Sequence, residues 1–282
     1  MKIAWSTGVG PGLAPEDATG SGALAWPDFH EASKLPAAVA RAQSTAYTTS
    51  PQEAFLVSRA FRQVPGPDGV PFRLDGAGED TLHDVLARRR SATDLSSPLS
   101  LEGLSVVLAD GLGPTQVLID EQTGAPTVRR SWPSAGGLYP LDFYLIARSV
   151  DGVPPGCYNV NTIAGRLEPL RGERCADVDE VLRAGWFWQE FMVEAAAVIV
   201  LAAVFERTVA KYGERGYRFA LLDAGHAAQN LLLVATQQRL PSVPVGGFDD
   251  DALAAALGLD GLHEAVVHSV ALGGPAPGEE TR

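Results

Sequence analysis

The chain has 282 residues, 46% of them hydrophobic, which is ample for a core in one large domain or one domain with an extension. A net charge of −12 argues against a nucleic-acid or anionic-membrane partner, both of which want a basic surface, and leaves room for a local basic pocket. The longest apolar run, 195–205, is too short for a bilayer and the N-terminus lacks a signal peptide's apolar segment, so a cytoplasmic protein is expected.

Residues 1–30 are rich in Gly, Pro and Ala without periodicity and read as an irregular arm. A helix fits 51–62, and 64–80 reads as a turn-rich linker. The expected organisation is an N-terminal extension and linker over 1–79, a main domain over 80–275 and a short tail over 276–282. In the main domain, 81–90 reads as a helix with Leu82, Val85 and Leu86 on one face and Arg88, Arg89 and Arg90 at its end. Ser100 is placed to cap a second helix over 101–110, with Leu101, Leu104 and Leu108 apolar and Gly111 and Gly113 as its stop.

Residues 131–140 hold two prolines and two adjacent glycines, so neither helix nor strand runs through them. Gly136 and Gly137 would let a flat ligand approach the backbone, though such a loop alone is an ordinary turn. A buried strand follows over 141–149, then a hairpin over 156–160 and 166–170. Cys157 in that hairpin reads as a small core residue, and with Cys175 it shows no metal-ligand spacing.

Residues 177–193 read as a helix ending in Trp186, Phe187 and Trp188, which cannot all share one face; packing at an interface is the plainer account. The run 195–205 suits a central strand buried on both sides. A long helix fits 214–238 with Phe219, Leu222, Ala227, Leu231 and Val234 inside. Val245-Gly246-Gly247-Phe248 comes next. Asp249, Asp250 and Asp251 then begin a helix through Leu257, suited to its positive end. The last strand is 266–272. Helices and strands mix without a βαβ beat, which points to an α+β fold.

Three groups have chemical potential. Arg89-Arg90-Ser91 alone is a solvated helix end; as a site it offers guanidinium forks and a hydroxyl to a phosphate. Lys211-Tyr212 alone is a surface pair, yet Lys211 is the only lysine after Lys34. His226 reads as a core or interface residue, and Asp223 as bonded to neighbouring backbone or to an arginine such as Arg218.

Four motifs then occur in a telling order: Arg89-Arg90-Ser91, Pro133-Ser134-Ala135-Gly136-Gly137-Leu138-Tyr139-Pro140, the helix from Leu221 to Asn230, and Val245-Gly246-Gly247-Phe248. Over roughly residues 80–275 the chain resembles SagB-type dehydrogenases of the FMN-dependent nitroreductase superfamily. The resemblance implies a nitroreductase-like fold with a central, mostly antiparallel sheet flanked by helices. It also implies an intertwined homodimer with FMN at the subunit interface. Arg89 and Ser91, helped by Arg90, would hold the FMN phosphate. Pro133, Ser134, Ala135 and Gly136 would line the isoalloxazine, and Gly246 and Gly247 would approach it from the other subunit. Thr93 and Leu95 depart from the family's basic and aromatic residues, and the tail leaves only Arg282 as a late phosphate contact.

In the azoline-oxidising branch a Lys-Tyr pair just before the long helix is associated with catalysis. That would make Lys211 the base and Tyr212 its orienting or relaying partner. Aromatising a thiazoline or oxazoline needs a Cα proton removed, and a lysine shielded from water beside a cation such as Arg215 can take it. The substrate implied is peptidic or peptidyl-carrier-bound, in peptide natural product biosynthesis, with a cyclodehydratase complex as partner. The alternatives are an NAD(P)H-dependent nitroreductase or flavin reductase, and a flavin-poor scaffold subunit of a peptide-modifying complex.

Overall fold

The computed structural model describes residues 69–72, 81–119, 126–170, 175, 177–186 and 189–275. The expected arm, the helix over 51–62, the tail and the pair Phe187 and Trp188 lie outside these residues. In chain order the first half holds β1 (Val70–Pro71), α1 (Leu82–Arg88), α2 (Leu101–Leu112), β2 (Pro114–Ile119), β3 (Pro126–Arg130), β4 (Leu141–Ala147), β5 (Gly156–Asn161) and β6 (Arg166–Pro169). The second half holds α3 (Val178–Gly185), α4 (Glu190–Val193), β7 (Ala197–Val204), α5 (Glu206–Tyr212), α6 (Arg215–Gln237), β8 (Ser242–Val245), α7 (Asp250–Leu257) and β9 (Glu264–Leu272).

Seven strands form one sheet in the order β1-β6-β5-β4-β7-β9-β8, with every neighbouring pair antiparallel. Strands β2 and β3 make a separate hairpin. Side chains along the two central strands alternate between two cores, since a strand sends successive residues to opposite faces. Leu141, Phe143, Leu145, Ile199 and Leu201 enter one core; Tyr144, Ile146, Val198 and Val200 enter the other. Helices α2 and α6 cover the first through Leu104, Leu108, Ala224, Ala227 and Leu231, and α3 and α7 cover the second through Leu182, Leu253 and Leu257. Helices on both faces are what make the run through β7 continuously apolar. The architecture is α+β in three layers, as expected.

Local signals explain most boundaries. Ser100 caps α2 by accepting the Gly103 N–H at 3.1 Å, and Asp249 caps α7 by accepting the Ala252 N–H at 2.9 Å. Gly111 is not a stop: it lies inside α2, where a Cβ would meet Leu231 Cδ2 at 2.9 Å, so its bareness lets α2 approach α6. On α1 only Val85 is buried, while Leu82 and Leu86 are exposed, so the expected apolar face is one residue wide. The expected helix over 177–193 breaks at Trp186, which turns fully inward against Phe248. Leu222, expected inside, is 58% exposed. Val70 and Pro71, inside the expected linker, pair with Leu167 and Arg166, and Phe72 is buried beside them. Among the described residues no helix is long and apolar enough to cross a membrane.

Candidate functional site

The loop feeding β4 has an unusual backbone. Gly136 and Gly137 sit at φ 63° and 67°, and Tyr139 sits at φ 46°, a left-handed state that costs an L-residue about 1–2 kcal/mol. Such strain persists only where neighbours hold it. Here Ser134 Oγ accepts the Tyr139 N–H at 2.8 Å, and Tyr139 Oη accepts the Arg130 N–H at 3.1 Å. The Tyr139 ring stands edge-on to Trp132 at 5.5 Å, with the Arg130 guanidinium 5.6 Å from its centroid. Burial pulls Arg130 down to about 10. Just inside β4, Arg207 of α5 grips Asp142 with both nitrogens, at 2.9 and 3.0 Å, in a nearly dry ion pair. The Arg207–Asp142 pair leaves no local signal in the sequence, because its members are 65 residues apart along the chain.

Asp223 of α6 lies behind the loop. It is 3% exposed, and the Ser134 hydroxyl and the Ala135 N–H lie beside its carboxylate. The expectation was neighbouring backbone or Arg218; the groups beside its carboxylate come from the distant loop instead. Its Oδ2 has no partner among the described residues. Burial raises its pKa to about 6, against the opposing effects of Ser134, Ala135 and His226. His226 itself is exposed.

Lys211 and Tyr212 end α5, and the turn into α6 brings Tyr212 to the same loop. That turn is fixed by Thr208, fully buried, whose hydroxyl donates to the Gly216 carbonyl at 2.9 Å. The Tyr212 phenol rests on Gly136, where a Cβ would stand 2.5 Å from its oxygen. Phe219 supports the Tyr212 ring edge-on at 4.9 Å, and Lys211 Nζ lies 5.8 Å from that ring's centroid. Ser134 and Ala135 are half-buried while Pro133 and Gly136 are exposed, so the loop surface is open to a flat ligand.

The other expected site residues lie elsewhere. Arg90 is occupied with the end of α1, donating from Nη1 to the carbonyls of Ala87 and Arg89 at 3.0 and 2.8 Å. Arg89 is half-buried and Ser91 exposed, and Ala92 after them donates its N–H to the Ser242 carbonyl. Ser242 shares a row of the sheet with Leu272, Ala197 and Ala147. Leu141, where the glycine loop joins, lies six residues up β4 from that row, roughly 20 Å away. Gly246 and Gly247, both exposed, follow β8, three strands across from β4 and so about 15 Å aside. Gln189 Nε2 donates to the Gly247 carbonyl at 3.1 Å, and His268 Nδ1 is 4.0 Å from where a Gly246 Cβ would stand. One chain therefore presents a phosphate-suited group and a ring-suited loop at opposite ends of its sheet. Cys157 is buried in the second core, as expected, and its thiol meets that of Cys175. Thr93 is exposed and Leu95 is 1% exposed, so Leu95 serves the core.

A family model described as "Nitroreductase family" matches residues 86–274. The chain is 36% identical over 187 residues to MJ1384 of Methanocaldococcus jannaschii, a nitroreductase by name, spanning 66% of this chain and 88% of that protein. It is 30% identical over 138 residues to the microcin B17-processing protein McbC of Escherichia coli, spanning 48% of this chain and half of McbC, 50%. A crystal structure from Anabaena variabilis, also a nitroreductase by name, superposes with a TM-score of 0.60 at 26% identity, over 74% of this chain and 42% of that one. A chain of the E. coli microcin synthetase McbBCD complex with truncated pro-MccB17 bound shares the fold, with a TM-score of 0.57 at 23% identity over 89% of this chain and 97% of that one.

Proposed function

The chain belongs to the nitroreductase family, and from that premise we propose that it is an FMN-dependent oxidoreductase converting peptidic azolines to azoles. The observation that carries the substrate class is the seat of Tyr212 on Gly136 with Lys211 Nζ 5.8 Å from the Tyr212 ring, which supports Lys211 as the base. The similarity to McbC, a microcin-processing protein, supports the same reading. The fold shared with a chain of the McbBCD complex makes a peptide-modifying complex the proposed partner.

The residues fit a flavin. Pro133 and Gly136 leave the surface of the loop exposed to a ring, the buried Asp223 Oδ2 has no partner among the described residues, and Arg89 with Ser91 offers a phosphate the fork and hydroxyl it needs. A bound FMN would supply the two-electron acceptor that oxidation of an azoline needs. The protein's share is to hold and to move protons. Ser134 and Ala135 orient the ring, Lys211 takes the Cα proton, and Tyr212, pinned between Gly136 and Phe219, fixes the distance between base and substrate. Because the phosphate group and the ring loop stand about 25 Å apart in one chain, the working site is proposed to be shared between two subunits, each supplying one part.

The test is turnover of a peptidic thiazoline by Lys211→Ala protein carrying its FMN. The expected loss is on the order of 100- to 10,000-fold with cofactor content unchanged. Full turnover by that variant refutes the assignment of Lys211. The longer match to MJ1384 favours a second reading, an NAD(P)H-dependent nitroreductase. It expects rapid bleaching of the bound flavin by NAD(P)H in wild type and Lys211→Ala alike.

A further inference from the structure

We propose that Asp223 is a positioning residue for the cofactor loop, which sets whether the Ser134 hydroxyl gives or takes a hydrogen bond towards a bound ring. The inference rests on the FMN reading above. Ser134 Oγ already accepts the Tyr139 N–H at 2.8 Å, and its hydroxyl lies with the Ala135 N–H beside the buried Asp223 carboxylate, the acceptor within their reach. A hydroxyl has a single proton to give. With Asp223 ionised, that proton is committed inward, and Ser134 can show a ligand only a lone pair. Once Asp223 is protonated, its own O–H can donate to Ser134 Oγ, and the serine proton turns outward.

The surroundings suit that exchange. Asp223 is 3% exposed and its Oδ2 has no partner among the described residues, which penalises the charged form. Burial accordingly lifts its pKa to about 6, where the exchange is reached near neutral pH. The charged group that acts on it is His226 on its own helix; across the loop, Tyr212 of α5 meets Gly136, and Arg129 of β3 has Nη1 3.2 Å from where a Gly137 Cβ would stand. Ser134 is half-buried, so its outer side remains within reach of a ligand. An oxidised flavin ring presents more acceptors than donors, so the protonated state should hold it more tightly.

The experiment compares FMN dissociation constants at about pH 5 and about pH 7.5 in wild type, Asp223→Asn, Ser134→Ala and His226→Gln. The FMN phosphate also titrates near pH 6, but equally in all four, so the ratio of variant to wild type cancels it. Wild type is expected to gain up to about tenfold in affinity over Asp223→Asn on acidification, one hydrogen bond's worth. Ser134→Ala should lose the gain and His226→Gln should keep it. A gain of wild-type size in Asp223→Asn or Ser134→Ala overturns the proposal. Amide hydrogen exchange of Ala135 and Tyr139 without cofactor supplies the independent readout. Asp223→Ala should exchange there at least about tenfold faster at fixed pH, and unchanged exchange overturns Asp223's hold on the loop. If no protein binds FMN, the cofactor reading fails, and the exchange comparison alone decides the case of Asp223.

Discussion

Replacing Gly136 with alanine separates backbone strain from the contact that defines the site. At φ 63° an alanine pays about 1–2 kcal/mol for the left-handed conformation, whatever surrounds it. Its Cβ would also stand 2.5 Å from Tyr212 Oη but 3.4 Å from Cζ, which is ordinary contact. The conflict is thus with one oxygen at the end of a side chain. Relieving it needs a shift of the phenol of roughly 1 Å, a displacement that can cost a positioned reaction on the order of 100-fold. Removing that oxygen should remove the conflict, so Gly136→Ala is expected to cost less stability in a Tyr212→Phe background than alone, with a coupling of about 1 kcal/mol. Urea unfolding of the four proteins of that cycle, with turnover measured on the same samples, makes the comparison. Additive energies, or full turnover in Gly136→Ala, would refute the seating of Tyr212 on the loop.

Three other outcomes follow from the same geometry. Asp223 has a folded pKa of about 6 against 3.8, so its contribution to stability is present below about pH 4 and is lost as the pH rises through 6. Wild type should therefore lose on the order of 2–3 kcal/mol relative to Asp223→Asn across that window, and parallel stability curves would contradict it. Breaking the dry pair by Asp142→Asn should cost about 3–5 kcal/mol, because Arg207 is left charged and buried; a change under about 1 kcal/mol in denaturant midpoint analysis would show that the pair is expendable. Arg89→Ala should weaken FMN binding by at least about tenfold while Arg90→Ala, whose guanidinium serves the end of α1, should change it little; the reverse order in a binding titration would reassign the phosphate contact.

What could be read in advance follows where the signal is stored. Strands β4 and β7 were legible because burial on both faces leaves an unbroken apolar run, and α6 because its alanines and Leu231 recur at helical spacing. The hairpin β2–β3 was not, since Val117 and Ile119 are exposed and the stretch carries neither a clean alternation nor a core face. Leu82 and Leu86 look like a core face in sequence, yet only tertiary contact could tell that α1 buries Val85 alone. The glycine loop, the Lys-Tyr pair and Asp223 were each visible as residues. That Asp223 and Tyr212 both converge on the loop was not, because those contacts join segments far apart in the chain. The positive φ of Tyr139 had no local signal at all, since no glycine or asparagine marks it.

The most direct test of the central claim is a UV–visible spectrum of the purified protein with mass analysis of whatever heat releases from it. The expected result is a yellow protein that releases stoichiometric FMN, or one that takes up FMN when it is supplied and loses it on substitution of Arg89. A colourless protein that FMN cannot reconstitute would contradict it, and would leave the family's fold without the family's cofactor.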